Sequence, residues 1–141
     1  MKNRFFFIII LFFVLGFFYR LFLSSFATNA FIWDMSSFSK GAGEILNGQI
    51  IKDCCYKTQG YSLVLAGIYY LFGFENLFAV RLFQIFLDLV NALLVFGIAK
   101  KMFGRKAALV SYILYILNPF TAAYTGLALS EIVTLFYIVS I

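Results

Sequence analysis

Asp34, Lys57, Arg81 and Glu131 are the side chains in this sequence best placed to do chemistry. A carboxylate can take a proton from a hydroxyl or amine, and a cation can neutralise a phosphate leaving group. Asp34 follows Trp33 at the start of a helical pattern, where it would also serve as an N-cap, with Ser37 three positions on. The cap is the commoner use of such a residue, and the two roles are compatible. Lys57 precedes a short apolar run in Tyr56-Lys57-Thr58-Gln59-Gly60-Tyr61. It reads either as a lysine snorkelling to the headgroups or as a phosphate ligand near a helix N-terminus. Glu131, in Leu127-Ala128-Leu129-Ser130-Glu131, suits the first turn of a helix, with Ser130 beside it.

Arg81 opens a polar series with Gln84, Asp88 and Asn91. At helical pitch these four fall within a sector of about 80°, so they form one stripe. Asp88 lies near the middle of an apolar run, where a charge costs about 2.5–3.5 kcal/mol, so it must face protein or a wet cavity. Arg81, two turns away, is its simplest partner. The stripe is either an internal seam between helices or a substrate-facing surface. Arg81, at its outer end, is better placed than Asp88 to meet an anionic headgroup.

Hydrophobic residues make up 64% of the 141, charged residues 12%, and 20 residues are Phe. A soluble domain carries about 45–50% apolar and about 25% charged residues, so this composition defines a membrane protein. The net charge of +5 is a topology signal. The basic clusters abut apolar spans instead of interleaving with polar surface, which excludes nucleic-acid binding. The adjacent Cys54 and Cys55 cannot form a disulfide framework. There is no His, and no Cys/His spacing suggests a zinc site.

Phe5 to Leu23 is an apolar run of spanning length, interrupted by Gly16 and Arg20. A signal peptide is the alternative, with Ser25-Phe26-Ala27 as a small-x-small site, but its apolar region would be only about 7–15 residues. Residues 24–76 form the first outer loop, of which 24–60 are the least apolar stretch of the chain. In it Met35, Phe38, Ala42, Ile45 and Gln49 recur at helical spacing, which predicts an amphipathic helix ending near Gly48. Tyr61 to Phe74 is too short to cross and reads as an interfacial helix. Leu77 to Ala99 is a full span, and Lys100 to Lys106 a basic loop. Ala107 to about 125 returns outward with a bend at Pro119, and a further span starts near 132. That last stretch is too short to cross a bilayer needing about 20 residues, so the chain is expected to be the N-terminal part of a longer protein. Lys2 and Arg4 at one end, and Lys100, Lys101, Arg105 and Lys106 at the other, mark the cytoplasmic side. The expected fold is an all-α, polytopic transmembrane helical bundle with juxtamembrane amphipathic helices in its first outer loop. It would sit in the plasma membrane with its N-terminus cytoplasmic.

This topology puts Asp34, Lys57, Arg81 and Glu131 on one face. Two carboxylates and two cations at a lipid–water boundary suit a reaction on a lipid-linked phosphate. The order of residues is familiar: Trp33-Asp34 after the first span; the Ala42 to Gly48 helix; Lys57 ahead of a helix ending Leu71-Phe72-Gly73; Ala79-Val80-Arg81-Leu82; Ala99-Lys100-Lys101-Met102-Phe103-Gly104-Arg105-Lys106-Ala107-Ala108; Asn118-Pro119; and Leu129-Ser130-Glu131. This set resembles the N-terminal part of GT-C fold membrane glycosyltransferases, in particular the protein O-mannosyltransferase and lipid A aminoarabinose transferase group. The resemblance implies inverting transfer of a sugar from a polyprenyl-phosphate donor to a glycan, lipid or protein acceptor. It casts Asp34 and Glu131 as the catalytic acids of the outer face, and Lys57 and Arg81 as donor-phosphate ligands. No cofactor is implied for certain, a divalent cation held by the acids being the candidate. A reading of another class is a non-enzymatic membrane subunit or transporter fragment, whose stripe from Arg81 to Asn91 binds a neighbouring helix.

Overall fold

The computed structural model describes residues 2–49 and 59–141, with the side chains of the first helix described from residue 5 onward. The described residues form six helices: α1 (Lys2–Ser24), α2 (Asp34–Leu46), α3 (Gln59–Phe72), α4 (Leu77–Ile116), α5 (Pro119–Tyr124) and α6 (Glu131–Ser140). No strand occurs among the described residues. Two of these helices, α1 and α4, are long and apolar enough to cross a membrane. With its large exposed apolar surface, including Phe6, Phe7, Phe18 and Phe22 along α1, the protein is an all-α membrane protein.

The 40 residues of α4 do not make one rod. A straight helix would separate residues 88 and 115 by about 40 Å, yet the Tyr115 hydroxyl donates to Asp88 Oδ1 at 2.6 Å. The reversal is made at Gly104, whose backbone (φ 84°, ψ 179°) is non-helical. That region is essentially closed to residues with a Cβ. The basic segment 100–106 is therefore helical on both sides of a single turning residue, not a loop. Gly104→Ala meets no neighbouring atom within 4 Å, so its cost is backbone strain alone. We expect about 1–3 kcal/mol lower stability, measured by denaturant unfolding in detergent micelles.

The two limbs, residues 77–103 and 105–116, run antiparallel to each other and pack side by side on α1, the first antiparallel to it and the second parallel. Ile85, Leu89 and Ala92 of the first meet Tyr112 and Ile116 of the second, with Ile9, Phe13 and Phe17 of α1 closing the cluster. The second limb stops at Ile116, earlier than the expected span to about 125. Asn118 then caps the short helix α5 by accepting from the Phe120 N–H at 2.9 Å, and Pro119 occupies its first turn. Proline there cannot continue the preceding helix but starts a new one well.

The partner of Asp88 is not Arg81. Arg20 Nε donates to Asp88 Oδ2 at 2.6 Å, and both side chains are fully buried. Nη2 lies 2.6 Å from the same oxygen but out of hydrogen-bond alignment. Nη1 donates to the carbonyls of Gly16 (3.3 Å) and Ile116 (3.1 Å). One ion pair thus joins α1 to both limbs of α4. Gly16 leaves the room for it, since a Cβ there would meet the Ile116 side chain at 2.9 Å and Arg20 Nη1 at 3.3 Å.

A second core caps the first. Met35, Phe38 and Ala42 of α2 interleave with Tyr61, Leu65, Ala66, Ile68 and Tyr69 of α3, over Val80 of α4 and Val133 of α6. The helical spacing of the apolar residues in α2 is what buries them together. The Phe38 and Tyr61 rings meet edge to face at 5.1 Å. Tyr69 donates to Ser39 Oγ, which donates to Glu75 Oε1 at 2.9 Å, linking α2, α3 and the turn into α4.

Candidate functional site

Two acids distant in sequence line one open cavity of about 210 Å³, formed by Ile32, Trp33, Asp34 and Met35 on one side and Leu127, Leu129 and Glu131 on the other. Asp34 is the first residue of α2 and Glu131 the first of α6, and both are exposed. Each carboxylate therefore sits in a first helical turn, where the helix dipole favours negative charge. The N-cap position of α2 is Trp33, which makes no side-chain cap hydrogen bond, and Asp34, expected as the cap, is the first helical residue instead.

Trp33 is held at φ 50°, ψ −119°, a conformation that costs a non-glycine residue about 1–3 kcal/mol. Its side chain is 87% exposed at the cavity wall. Strain and an exposed indole beside a carboxylate are two features that sequence reasoning missed.

Arg81 fastens both walls. Its Nε donates to Gly126 O (3.0 Å), Nη1 to Asn29 Oδ1 (3.1 Å), and Nη2 to the carbonyls of Thr28 (2.6 Å) and Ala27 (3.4 Å). The segment 27–29 leads into Asp34 and the segment from 126 leads into Glu131, so one guanidinium ties together the segments that precede the two acids. Four of its five N–H donors are thereby committed to protein oxygens, which leaves little for a phosphate. Gly126 makes this junction possible, because a Cβ there would come 2.9 Å from Ala27 Cβ and 3.1 Å from Ser24 Cα. Gly126→Ala must push backbone apart, and we expect about 1–3 kcal/mol lower stability, read from the same unfolding measurement.

The rest of the stripe is buried. Gln84 Nε2 donates to Leu129 O (2.8 Å) and to the Tyr61 hydroxyl (2.9 Å). Asn91 Nδ2 donates to Ile132 O at 3.3 Å. The stripe is thus an internal seam that fixes the start of α6. Burial pushes the Tyr61 hydroxyl well above the usual tyrosine range, with Tyr69 and then Glu131 adding to the effect.

Lys57 lies outside the described residues, as do Cys54 and Cys55. Among the described residues no three His, Cys, Asp or Glu side chains group as a metal site.

Residues 57–141 match the dolichyl-phosphate-mannose-protein mannosyltransferase family. The match covers more than half of the chain, and the protein belongs to that family, a group of membrane glycosyltransferases. Lys57, Arg81 and Glu131 fall within the matched segment, and Asp34 precedes it. No curated protein and no solved structure matches the chain.

Proposed function

We propose that this chain builds the outer-face part of a GT-C glycosyltransferase active site, which moves a sugar from a polyprenyl-phosphate donor to an acceptor. The observation that carries the reading is the cavity shared by Asp34 and Glu131, two carboxylates from separate helix starts in a chain of this family. Asp34 takes the proton from the acceptor hydroxyl or amine as its oxygen or nitrogen attacks the anomeric carbon. The bond between that carbon and the phosphate oxygen breaks, and the polyprenyl phosphate leaves with the electron pair. The sugar is inverted at the carbon attacked. Lys57 is the cation for the leaving phosphate. Arg81 acts through the two segments it ties together, as a positioning residue.

The same two carboxylates fit the donor set that a divalent cation takes beside a phosphate, one or two carboxylates with waters. Glu131 would hold either the acceptor or such a cation. In this reading the protein is multi-pass, with its N-terminus cytoplasmic and the cavity on the extracytoplasmic side. The alternative, a non-enzymatic subunit that docks through the stripe, loses its surface. Gln84, Asp88 and Asn91 are all fully buried and bonded within the chain.

The test is transfer of radiolabelled mannose from polyprenyl-phosphate mannose in membranes carrying the protein, with Asp34→Asn as the comparison. Transfer that survives this change at the wild-type rate removes Asp34 from the reaction.

A further inference from the structure

At the opposite end of the molecule from the acids, a second cavity of about 250 Å³ is lined by Phe5, Phe6, Ile9, Phe96, Lys100 and Arg105. Three elements contribute: the start of α1, the end of the first limb of α4, and the start of the second. The Phe5 and Phe96 rings, 6.0 Å apart, belong to its apolar part. Both of its cations are exposed. Neither makes an ion pair among the described residues. No acid occurs between Asp88 and Glu131 in the sequence, so the hairpin end carries positive charge alone.

From this juxtaposition we infer that the cavity is a binding site for one anionic phospholipid. Its phosphate would be held between Lys100 and Arg105, and an acyl chain would lie against Phe5, Phe6, Ile9 and Phe96. The chemistry fits on both counts. An arginine fork meets phosphate oxygens in pairs while a lysine supplies a point charge. The aromatic and aliphatic lining offers nothing to a headgroup but suits hydrocarbon. Met102 and Phe103, 67% and 71% exposed at the turn, place the hairpin end in the lipid interface, where such a ligand is abundant. Basic pockets between membrane helices are a recurrent way of holding anionic headgroups. The turning residue matters too. Gly104 brings Arg105 of one limb back beside Lys100 of the other, which a straight helix would hold on different turns. The site is independent of the transfer reaction at the other face.

The experiment is native mass spectrometry of the purified chain released from nanodiscs of phosphatidylcholine with phosphatidylglycerol. One phosphatidylglycerol per chain is expected to survive release from the wild type. Lys100→Gln with Arg105→Gln should weaken retention on the order of tenfold for each cation removed. Lys101→Gln with Lys106→Gln removes the same charge from outside the cavity and should retain the lipid. Equal loss in both double variants would mean a diffuse surface charge and would overturn the site, as would equal retention in both. Saturating inorganic phosphate should not displace the lipid; if it does, the cavity is an ion site and the lipid assignment fails.

Discussion

Asp88→Leu is expected to lower stability by about 3–5 kcal/mol, because it leaves the Arg20 guanidinium buried without a counter-charge. Asp88 Oδ2 accepts from Arg20 and Oδ1 from Tyr115, so both carboxylate oxygens hold a partner and three helical segments meet at one group. Arg20→Leu should cost a similar amount by the mirror-image argument. The double change Arg20→Leu with Asp88→Leu should recover much of the loss, since a buried ion pair contributes little against a well-packed apolar replacement. Tyr115→Phe removes one charge-assisted hydrogen bond, and about 1.5–3 kcal/mol is expected. Denaturant unfolding in micelles measures all four. A double variant as damaged as either single would show that the three segments need the charges themselves. Full stability of Asp88→Leu would mean that Arg20 has another partner and that the three segments are joined elsewhere.

That junction also shows where sequence reasoning stops. Arg20, Arg81 and Asp88 are the charges within the first two apolar runs, and an acid among them is expected to find a cation. Proximity along one helix favoured Arg81 instead, and nothing in the sequence says which face of α1 turns towards α4. The reversal of α4 was legible from its cluster of Lys and Arg, but not its tightness, which depends on one glycine at φ 84°. The amphipathic period was legible at Met35, Phe38 and Ala42, which are buried together, and at Ile45, half-buried against them, while Gln49, expected as its last member, lies exposed past the end of α2 at Leu46. Asn118-Pro119 announced a bend, and the structure makes it a complete break with a new capped helix.

At the candidate site, types and order singled out Asp34 and Glu131 as candidates, while their shared cavity depends on contacts that no local pattern encodes. Arg81 is the clearest case. Its position at the start of a span suggested a headgroup ligand, yet its donors close on four oxygens from two distant segments. A guanidinium is the one side chain that can meet so many oxygens at once. The sequence offers no sign of this, because three of the accepting atoms are backbone carbonyls, which any residues could supply. The seam of Gln84 and Asn91 has the same character, with carbonyls of Leu129 and Ile132 as acceptors.

Asp34→Asn in the membrane-embedded protein is expected to reduce sugar transfer by about 10²–10⁴-fold, the usual cost of removing a general base. The amide keeps the shape of the carboxylate and can still accept a hydrogen bond, but it cannot hold the proton released by the acceptor. The loss should fall on kcat, with donor binding nearly intact, because the proton moves only as the new bond forms. Glu131→Gln separates the roles. If Glu131 orients the acceptor, its loss should raise KM for the acceptor more than it lowers kcat. Folding gives the necessary control. Asp34 is exposed at a helix start, so Asp34→Asn should unfold within about 1 kcal/mol of wild type, the loss of its charge against the helix dipole included. A rate loss with stability unchanged places the effect at the reacting atoms. An equal loss of both would return Asp34 to a purely structural place in the first turn of α2.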